Sequence, residues 1–407
     1  MPFLADYLAF NEGNECPENF HIWSALVLLS TVTCRKIYLP WGQDVLHPNL
    51  YVGLIGRQGS RKSYAKDRAL DILTDHFPEI PTAASITSHQ QIAKEMASDE
   101  FTRAYQDENK QSCEVHPLAI FVNEFKNFLN VDPRGMLNWL TDIYDRKVFS
   151  ARYRTQGSFL VSNPYVTLLA CETPEEITMN LKINVMSGGF ARRFIPVYEL
   201  RKRCSIPRPF MTPEMQRIKE QVILRTKQVA QLVGPFQWGP GCQEFYDQWY
   251  MSIKDPSDPL MEGFYSSKHV QALKVAMLLT AADHLDLTLR TETVQVAIGL
   301  LDRIEPNMLT LYAGMGRNPL TAPTERLMAM MESRDGIMTE KDFMMIAQKD
   351  MNGLEIKMTL EHLKKTEQLY EGTQTDKETG LSRRVLMLRR VWRQINAVQQ
   401  KGEVKPK

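Results

Sequence analysis

The 407-residue chain has only six cysteines: Cys16, Cys34, Cys113, Cys171, Cys204 and Cys242. None forms a C-x-x-C pair, which argues against a zinc site or a disulfide scaffold and suits a reducing compartment. No window reaches the ~18 apolar residues that a membrane span needs. The opening MPFLADYLAF lacks a basic start, and Asp6 interrupts its apolar residues, so no secretory signal is expected. An excess of charge of one sign is missing too: 49 Lys and Arg stand against 48 Asp and Glu, a formal net charge of +1. Any surface for nucleic acid must therefore be local. Internal repeats and long low-complexity tracts are absent. What remains is a chain expected in the cytoplasm (the host's, if the source is viral), without a membrane partner, and long enough for two or three domains with real cores.

What is present alternates. Residues 1–48 read as a helical N-terminal segment. Residues 49–200 alternate short apolar strands with helical stretches, the α/β pattern. In order these are LYVGLIG, SYAKDRALDIL, SHQQIAKEMASDE, PLAIFVNE, GMLNWLTDIYD, a hairpin in VFSARYRTQGSFLVS turning at Gln156-Gly157, and YVTLLACE. Residues 201–320 read as a helical lid closing on a linker, Leu320 to Pro323. Residues 321–390 show three helices and a hairpin turning near Lys377–Gly380, the pattern of a winged helix. Residues 391–407 read as a basic tail.

The most informative stretch is GRQGSRKS, Gly56 to Ser63, between an apolar strand and a helix. Backbone N–H groups at a helix N-terminus can wrap phosphates, a lysine reaches their oxygens, and the following hydroxyl can ligate Mg²⁺. Gly56, Gln58, Gly59, Ser60, Arg61, Lys62 and Ser63 are the candidate nucleotide contacts, with Ser63 as metal ligand. Arg61 occupies the position that G-x-x-x-x-G-K-[ST] gives to glycine. If the position requires positive φ, arginine costs about 1 kcal/mol or more. If it is already helical, Arg61 adds a cation near the phosphates. The strand PLAIFVNE then ends in Asn123-Glu124. Glu124 can polarise an attacking water. Asn123 can hydrogen-bond a metal-bound water but brings no charge. YVTLLACETPEE can set Thr173 or Glu172 beside a terminal phosphate. SGGFARRF carries Arg192 and Arg193, and an arginine reaching a neighbouring copy's phosphate could act only in a ring or dimer.

The order of GRQGSRKS, AIFVNEF, SNPYVTLLACETP and SGGFARRF resembles that of the P-loop ATPases of phages, prophages and mobile elements that act as replicative helicases. More distantly it is similar to the minichromosome maintenance and superfamily 3 helicases of the AAA+ class. The resemblance runs from about Pro17 to Arg390. It implies an AAA+-like P-loop NTPase core using ATP and Mg²⁺, and a homo-oligomer, a hexamer, acting on single-stranded, forked or duplex DNA. In it, Lys62 and Ser63 match the Walker A residues and Glu124 the Walker B acid. Thr173 approximates the first sensor, Arg193 the arginine finger with Arg192 as its understudy, and Lys274 or His269 a second sensor. The departures are Arg61 for glycine and Asn123 for aspartate.

In FSARYRTQGSF, Arg152 and Arg154 flank Tyr153 at the period that puts both arginines on one face of a strand. The resemblance makes this a channel hairpin gripping single-stranded DNA, since cations for phosphates and an aromatic for bases are the expected chemistry. In residues 321–390 the third helix holds Lys357, Lys364 and Lys365, and both duplex DNA and a protein are open to it as partners. Besides a helicase, two other readings use the same residues. One is a non-unwinding ATPase such as an initiator, loader or transposition accessory factor. The other is a transcriptional regulator with an inactive loop.

Overall fold

A computed structural model describes residues 2–153, 157–180, 189–256, 258–315, 321–375 and 382–402. The chain divides into two compact units, Met1–Met315 and Gly316–Lys407.

The first unit is built on a five-stranded α/β sheet. Its strands in chain order begin with a small hairpin outside that sheet, β1 (Ile37–Trp41) and β2 (Asp44–Leu46). The main sheet uses β3 (Tyr51–Gly56), β4 (Arg103–Gln106), β5 (Ser112–Val122), β8 (Pro164–Glu172) and β9 (Phe194–Glu199). Between them, β6 (Val148–Tyr153) and β7 (Gly157–Ser162) form a separate antiparallel hairpin. The order across the sheet is β4-β5-β8-β3-β9. All neighbours are parallel except β4 against β5. Every residue of β3 and β8 is buried, as expected of central parallel strands covered on both faces. Gly53 is needed in β3 because a Cβ there would meet the Phe194 ring at 2.2 Å.

The helix Glu18–Thr33 is buried along almost its whole length, the behaviour of a helix apolar on all sides. One core cluster takes in the N-terminal helices, the sheet and the long helices Glu262–His284 and Thr291–Met315. The expected N-terminal segment, ATPase core and lid are thus not separate bodies. No helix among the described residues is long and apolar enough to cross a membrane.

The second unit has its own core, including Leu327, Met331, Phe343, Ile356, Leu360 and Leu386. It runs helix Thr321–Glu332, strand Ile337–Thr339, helices Glu340–Ala347 and Gly353–Lys365, then strands Leu369–Thr375 and Ser382–Leu388. The strand Ser382–Leu388 lies between the other two and is antiparallel to both. Thr339 accepts from the Asp342 N–H, and Asn352 and Glu355 add a reciprocal capping box. The turn expected near Lys377–Gly380 lies outside the described residues. Two expectations are corrected. Thr321, Ala322 and Pro323 are not linker but the start of a helix, where proline is tolerated. The expected basic tail begins as a helix, Arg389–Gly402. Val391 is buried, Trp392 stacks on Tyr370 at 4.2 Å, and Arg390 pairs with Glu332, so apolar contact and an ion pair hold the start of this helix.

Candidate functional site

Strand register decides what can meet. Ile55 of β3 stands level with Glu172 of β8, and Val122 of β5 with Ala170. Glu124, two residues beyond Val122, is therefore level with Glu172 and Ile55. With strands ~4.8 Å apart, it leaves the sheet about 10 Å from the end of β3. The carboxyl ends of three adjacent parallel strands thus bring the Gly56–Ser63 loop, Thr173 and Glu124 to one edge, where parallel α/β sheets hold their ligands.

The loop is shaped by four residues. Gly56 passes so close to Ser60 that a Cβ would lie 2.6 Å from its Oγ. Gly59 has φ +80. Ser60 is buried, and its Oγ has no hydrogen-bond partner among the described residues. Arg61 takes φ 66 and ψ 18, the left-handed conformation, immediately before the helix Lys62–His76. The glycine-like geometry is therefore real, and arginine adopts it. That helix has no side-chain cap, so its first N–H groups stay open to an anion. Lys62 Nζ lies 3.0 Å from Gly56 O, folded over the hollow of its own loop. Gln58 is exposed, and Ser63 is half-buried at the start of the helix.

The Arg61 guanidinium does not turn toward the loop hollow. Its Nε and Nη2 donate to Glu15 Oε2 at 3.0 and 2.8 Å. Glu15 Oε1 accepts from Lys202 Nζ at 2.8 Å and from the Ile206 N–H at 2.9 Å. The Lys202 bond first, then the Ile206 N–H and Arg61, pull the Glu15 carboxyl down to about 2. The expected extra cation beside the phosphates is thus spent on a structural anchor. Glu15 went unnoticed in the sequence because nothing local marks it; it lies 46 residues before Arg61.

At the end of β5, Asn123 and Glu124 are both exposed. Glu124 Oε2 accepts from Asn127 Nδ2 at 2.6 Å. Glu172 is the contrasting carboxylate: buried, accepting from the N–H groups of Lys126 at 2.8 Å and Thr173 at 2.9 Å, with its pKa raised by burial. It fixes the helical turn that starts after Glu124, while Glu124 stays open to solvent. Thr173 Oγ1 lies 3.4 Å from the Glu176 N–H at the start of the helix Pro174–Asn180.

The opposite edge of the sheet holds the arginines. Phe194 is level with Tyr51 and Glu199 with Gly56, so Arg193 stands about 20 Å from Gly56 along the strands. Arg193 Nη1 donates to Gly189 O at 2.8 Å, and its Nη2 lies 3.5 Å from Asp145. The Arg192 side chain is exposed. Lys274, one candidate second sensor, is buried at this same edge. Its Nζ bonds Asn49 Oδ1 at 2.8 Å and faces the Tyr144 ring at 4.0 Å, and burial pushes its pKa down to about 8. It therefore stands at the far end of β3 from the loop. His269 rests against Tyr250 at 4.9 Å. A series of rings, Tyr144, Tyr51, Phe190, Phe194 and Phe125, runs from this edge to the residue after Glu124, with centroids 4.7 to 6.4 Å apart.

The β6–β7 hairpin follows Tyr144 and Asp145 and so leaves from the arginine edge. Arg152 lies opposite Ser158 and Ser150 opposite Leu160, so these four share one face. Arg152 and Leu160 are exposed there, while Val161 on the other face is buried. Arg152 Nε donates to Ser158 Oγ at 3.1 Å. Arg154 lies outside the described residues, as does Gln156. In the second unit Lys357 and Lys365 are exposed, whereas Lys364 is paired with Glu371. Leu354 and Met358 are exposed on the same helix.

No protein-family model matches this chain, and no curated protein matches it.

Proposed function

We propose that this chain is an ATP-driven, Mg²⁺-dependent DNA helicase or translocase that works as a ring of copies, in the replication of a phage or mobile element. The observation that carries this reading is the division of its chemistry between two edges of one sheet. The loop and Glu124 share the carboxyl edge, and Arg193 stands at the other, so a complete site needs a second copy. The buried, unpartnered Ser60 Oγ, the uncapped helix and the folded-back Lys62 fit a phosphate group in the loop. Lys62 and the first helical N–H groups would bind it, and Ser63 would hold the metal. The bound Mg-nucleotide supplies the scissile phosphoanhydride. Glu124 would orient and deprotonate the attacking water. Arg193 would meet the phosphate of the adjacent copy, with exposed Arg192 as its substitute. Thr173, directly after β8, has its hydroxyl at the start of the helix Pro174–Asn180, and on this reading it would serve as the first sensor.

The β6–β7 hairpin, with Arg152 beside two serines, fits a grip on single-stranded DNA. The order of helices and strands in the second unit supports reading it as a winged helix. Its third helix offers Lys357 and Lys365 to phosphates, and Leu354 and Met358 to a protein. With Mg-ATP and a forked duplex, the full chain is expected to unwind DNA and to hydrolyse ATP faster when single-stranded DNA is added, at a particle mass of several copies. Absence of both unwinding and DNA-stimulated hydrolysis would sink this reading. Asn123 favours a second one, since an amide brings no charge to the metal: a slow, non-unwinding ATPase that assembles on duplex DNA. Slow hydrolysis with assembly but without strand separation would select it.

A further inference from the structure

Arg193 is held on its own subunit by the Gly189 carbonyl, 2.8 Å from its Nη1, and by a carboxylate that serves two cations. Asp145 Oδ2 lies 3.5 Å from Arg193 Nη2, and its Oδ1 lies 3.7 Å from Lys274 Nζ. The Tyr144 ring sits between the same two cations, 4.0 Å from Lys274 and 5.5 Å from Arg193. The cations differ in freedom. The Lys274 side chain is 1% exposed and is anchored by both oxygens of Asn49; that of Arg193 is 27% exposed and Asp145 57%. Arg193 is the partner that can leave. If it does, Asp145 remains beside Lys274, so the buried ammonium keeps its carboxylate.

We propose that Asp145 is a positioning residue, a latch that parks Arg193 until a phosphate group bound to a neighbouring copy competes for it. This rests on the ring-ATPase reading above. A half-exposed ion pair at this distance is weak, and a doubly charged phosphate out-competes a shared carboxylate for a guanidinium. Asp145 also comes just before the hairpin that starts at Val148. Release of Arg193 therefore frees one of the two charges tethering the hairpin's base, so arrival of a neighbour's nucleotide is felt where DNA would be gripped.

The test uses the full chain and Asp145→Asn. Modification of Arg193 by phenylglyoxal, followed by peptide mass spectrometry on dilute protein without nucleotide, reads the latch itself. The protein concentration giving half-maximal DNA-stimulated hydrolysis reads its consequence. A lost pair of this kind is worth roughly a fivefold factor, so Arg193 is expected to be modified about fivefold faster in Asp145→Asn, with half-activation at about fivefold lower concentration. An unchanged modification rate overturns the latch, whatever hydrolysis does. Faster modification with unchanged concentration dependence overturns its role in gating a neighbour. Absence of hydrolysis in the unaltered chain sinks the ATPase reading and with it the gating, and the modification rates still decide whether Asp145 restrains Arg193. Should Asp145→Asn unfold around its bare ammonium, Asp145→Asn with Lys274→Met removes both charges and carries the same comparison.

Discussion

The two edges of the central sheet are built on opposite principles. At the carboxyl edge, polar groups are open or lightly held: Ser60 Oγ has no partner among the described residues, Lys62 rests on its own loop's carbonyl, and Glu124 has Asn127. At the amino edge, the buried Lys274 is saturated by Asn49, Tyr144 and Asp145. A surface that must exchange ligands cannot satisfy itself, whereas a charge kept from water must be satisfied. The comparison teaches that net charge says little about function here. What separates the edges is whether a side chain's hydrogen bonds are already taken.

That contrast can be broken by removing one group at a time. The largest effect is expected at Glu124. If Glu124 is the base proposed above, Glu124→Gln keeps the shape and loses it, so turnover should fall about 10²–10⁴-fold, with nucleotide affinity unchanged in an equilibrium titration. Equal loss of affinity would show that Glu124 acts in binding. Lys62→Ala comes next. If the proposed nucleotide site holds, removing the cation folded over the loop should weaken Mg-ATP binding by about 100-fold, the scale of a hydrogen bond to a charged group, with little change in thermal stability. A fluorescent nucleotide titration checks it, and full binding would mean that the loop does not hold phosphate.

Gly53→Ala tests the packing between the edges. Its Cβ would meet the far end of the buried Phe194 ring at 2.2 Å, so the ring or the strand must shift. A destabilisation of about 2 kcal/mol is expected, seen as a lower denaturant midpoint. Gly53→Ala with Phe194→Leu should recover part of it. No recovery would place the strain elsewhere than at the ring.

Much of the carboxyl edge was legible in the sequence, because its chemistry is local. The loop, its helix and the Asn123-Glu124 strand end each occupy one short stretch, and period-two and helical patterning set their frames. The amino edge was not legible. Lys274 was read as a possible second sensor only through the resemblance; its burial depends on Asn49 and Tyr144, far away in the chain. Glu15 was missed for the same reason. The stretch FIPVYE received no reading of its own, although its pairing with β3 is what sends Arg193 to the opposite edge. The tail helix was hidden by its charges, since only Val391 and Trp392 among its first residues mark an apolar contact with the unit, and the ion pairs of Arg389 and Arg390 depend on Glu367 and Glu332, far off in sequence.

Lys274 gives the comparison a pH signature. Its folded pKa, about 8, lies below the ordinary lysine value of 10.5, chiefly through burial. Between those values the unfolded chain holds a proton that the folded chain has released, so this group makes stability rise with pH. Below about 8 both states hold the proton and the contribution is flat. Urea midpoints at about pH 7.5 and 9.5 should therefore shift upward in the unaltered chain relative to Lys274→Met. An identical shift in both proteins would mean that Lys274 is not held in a dry site.

The smallest effect is expected at Arg61, and it sharpens the comparison most, because this residue belongs to both principles at once. Its backbone is the left-handed corner of the open loop, and its side chain is spent on buried Glu15. Arg61→Gly relieves a backbone cost of about 1 kcal/mol and loses the anchor. The two oppose each other, so nucleotide affinity should change less than about threefold and the melting temperature by under about 3 °C. Arg61→Val forfeits the anchor and adds a β-branched residue at φ 66, which such side chains rarely adopt. It should lower both affinity and stability well beyond the glycine variant. If glycine costs as much affinity as Lys62→Ala, the guanidinium must leave Glu15 and reach the phosphate when nucleotide binds. If valine is as mild as glycine, the corner is not needed, and the loop's resemblance to a phosphate cradle would lose its physical basis.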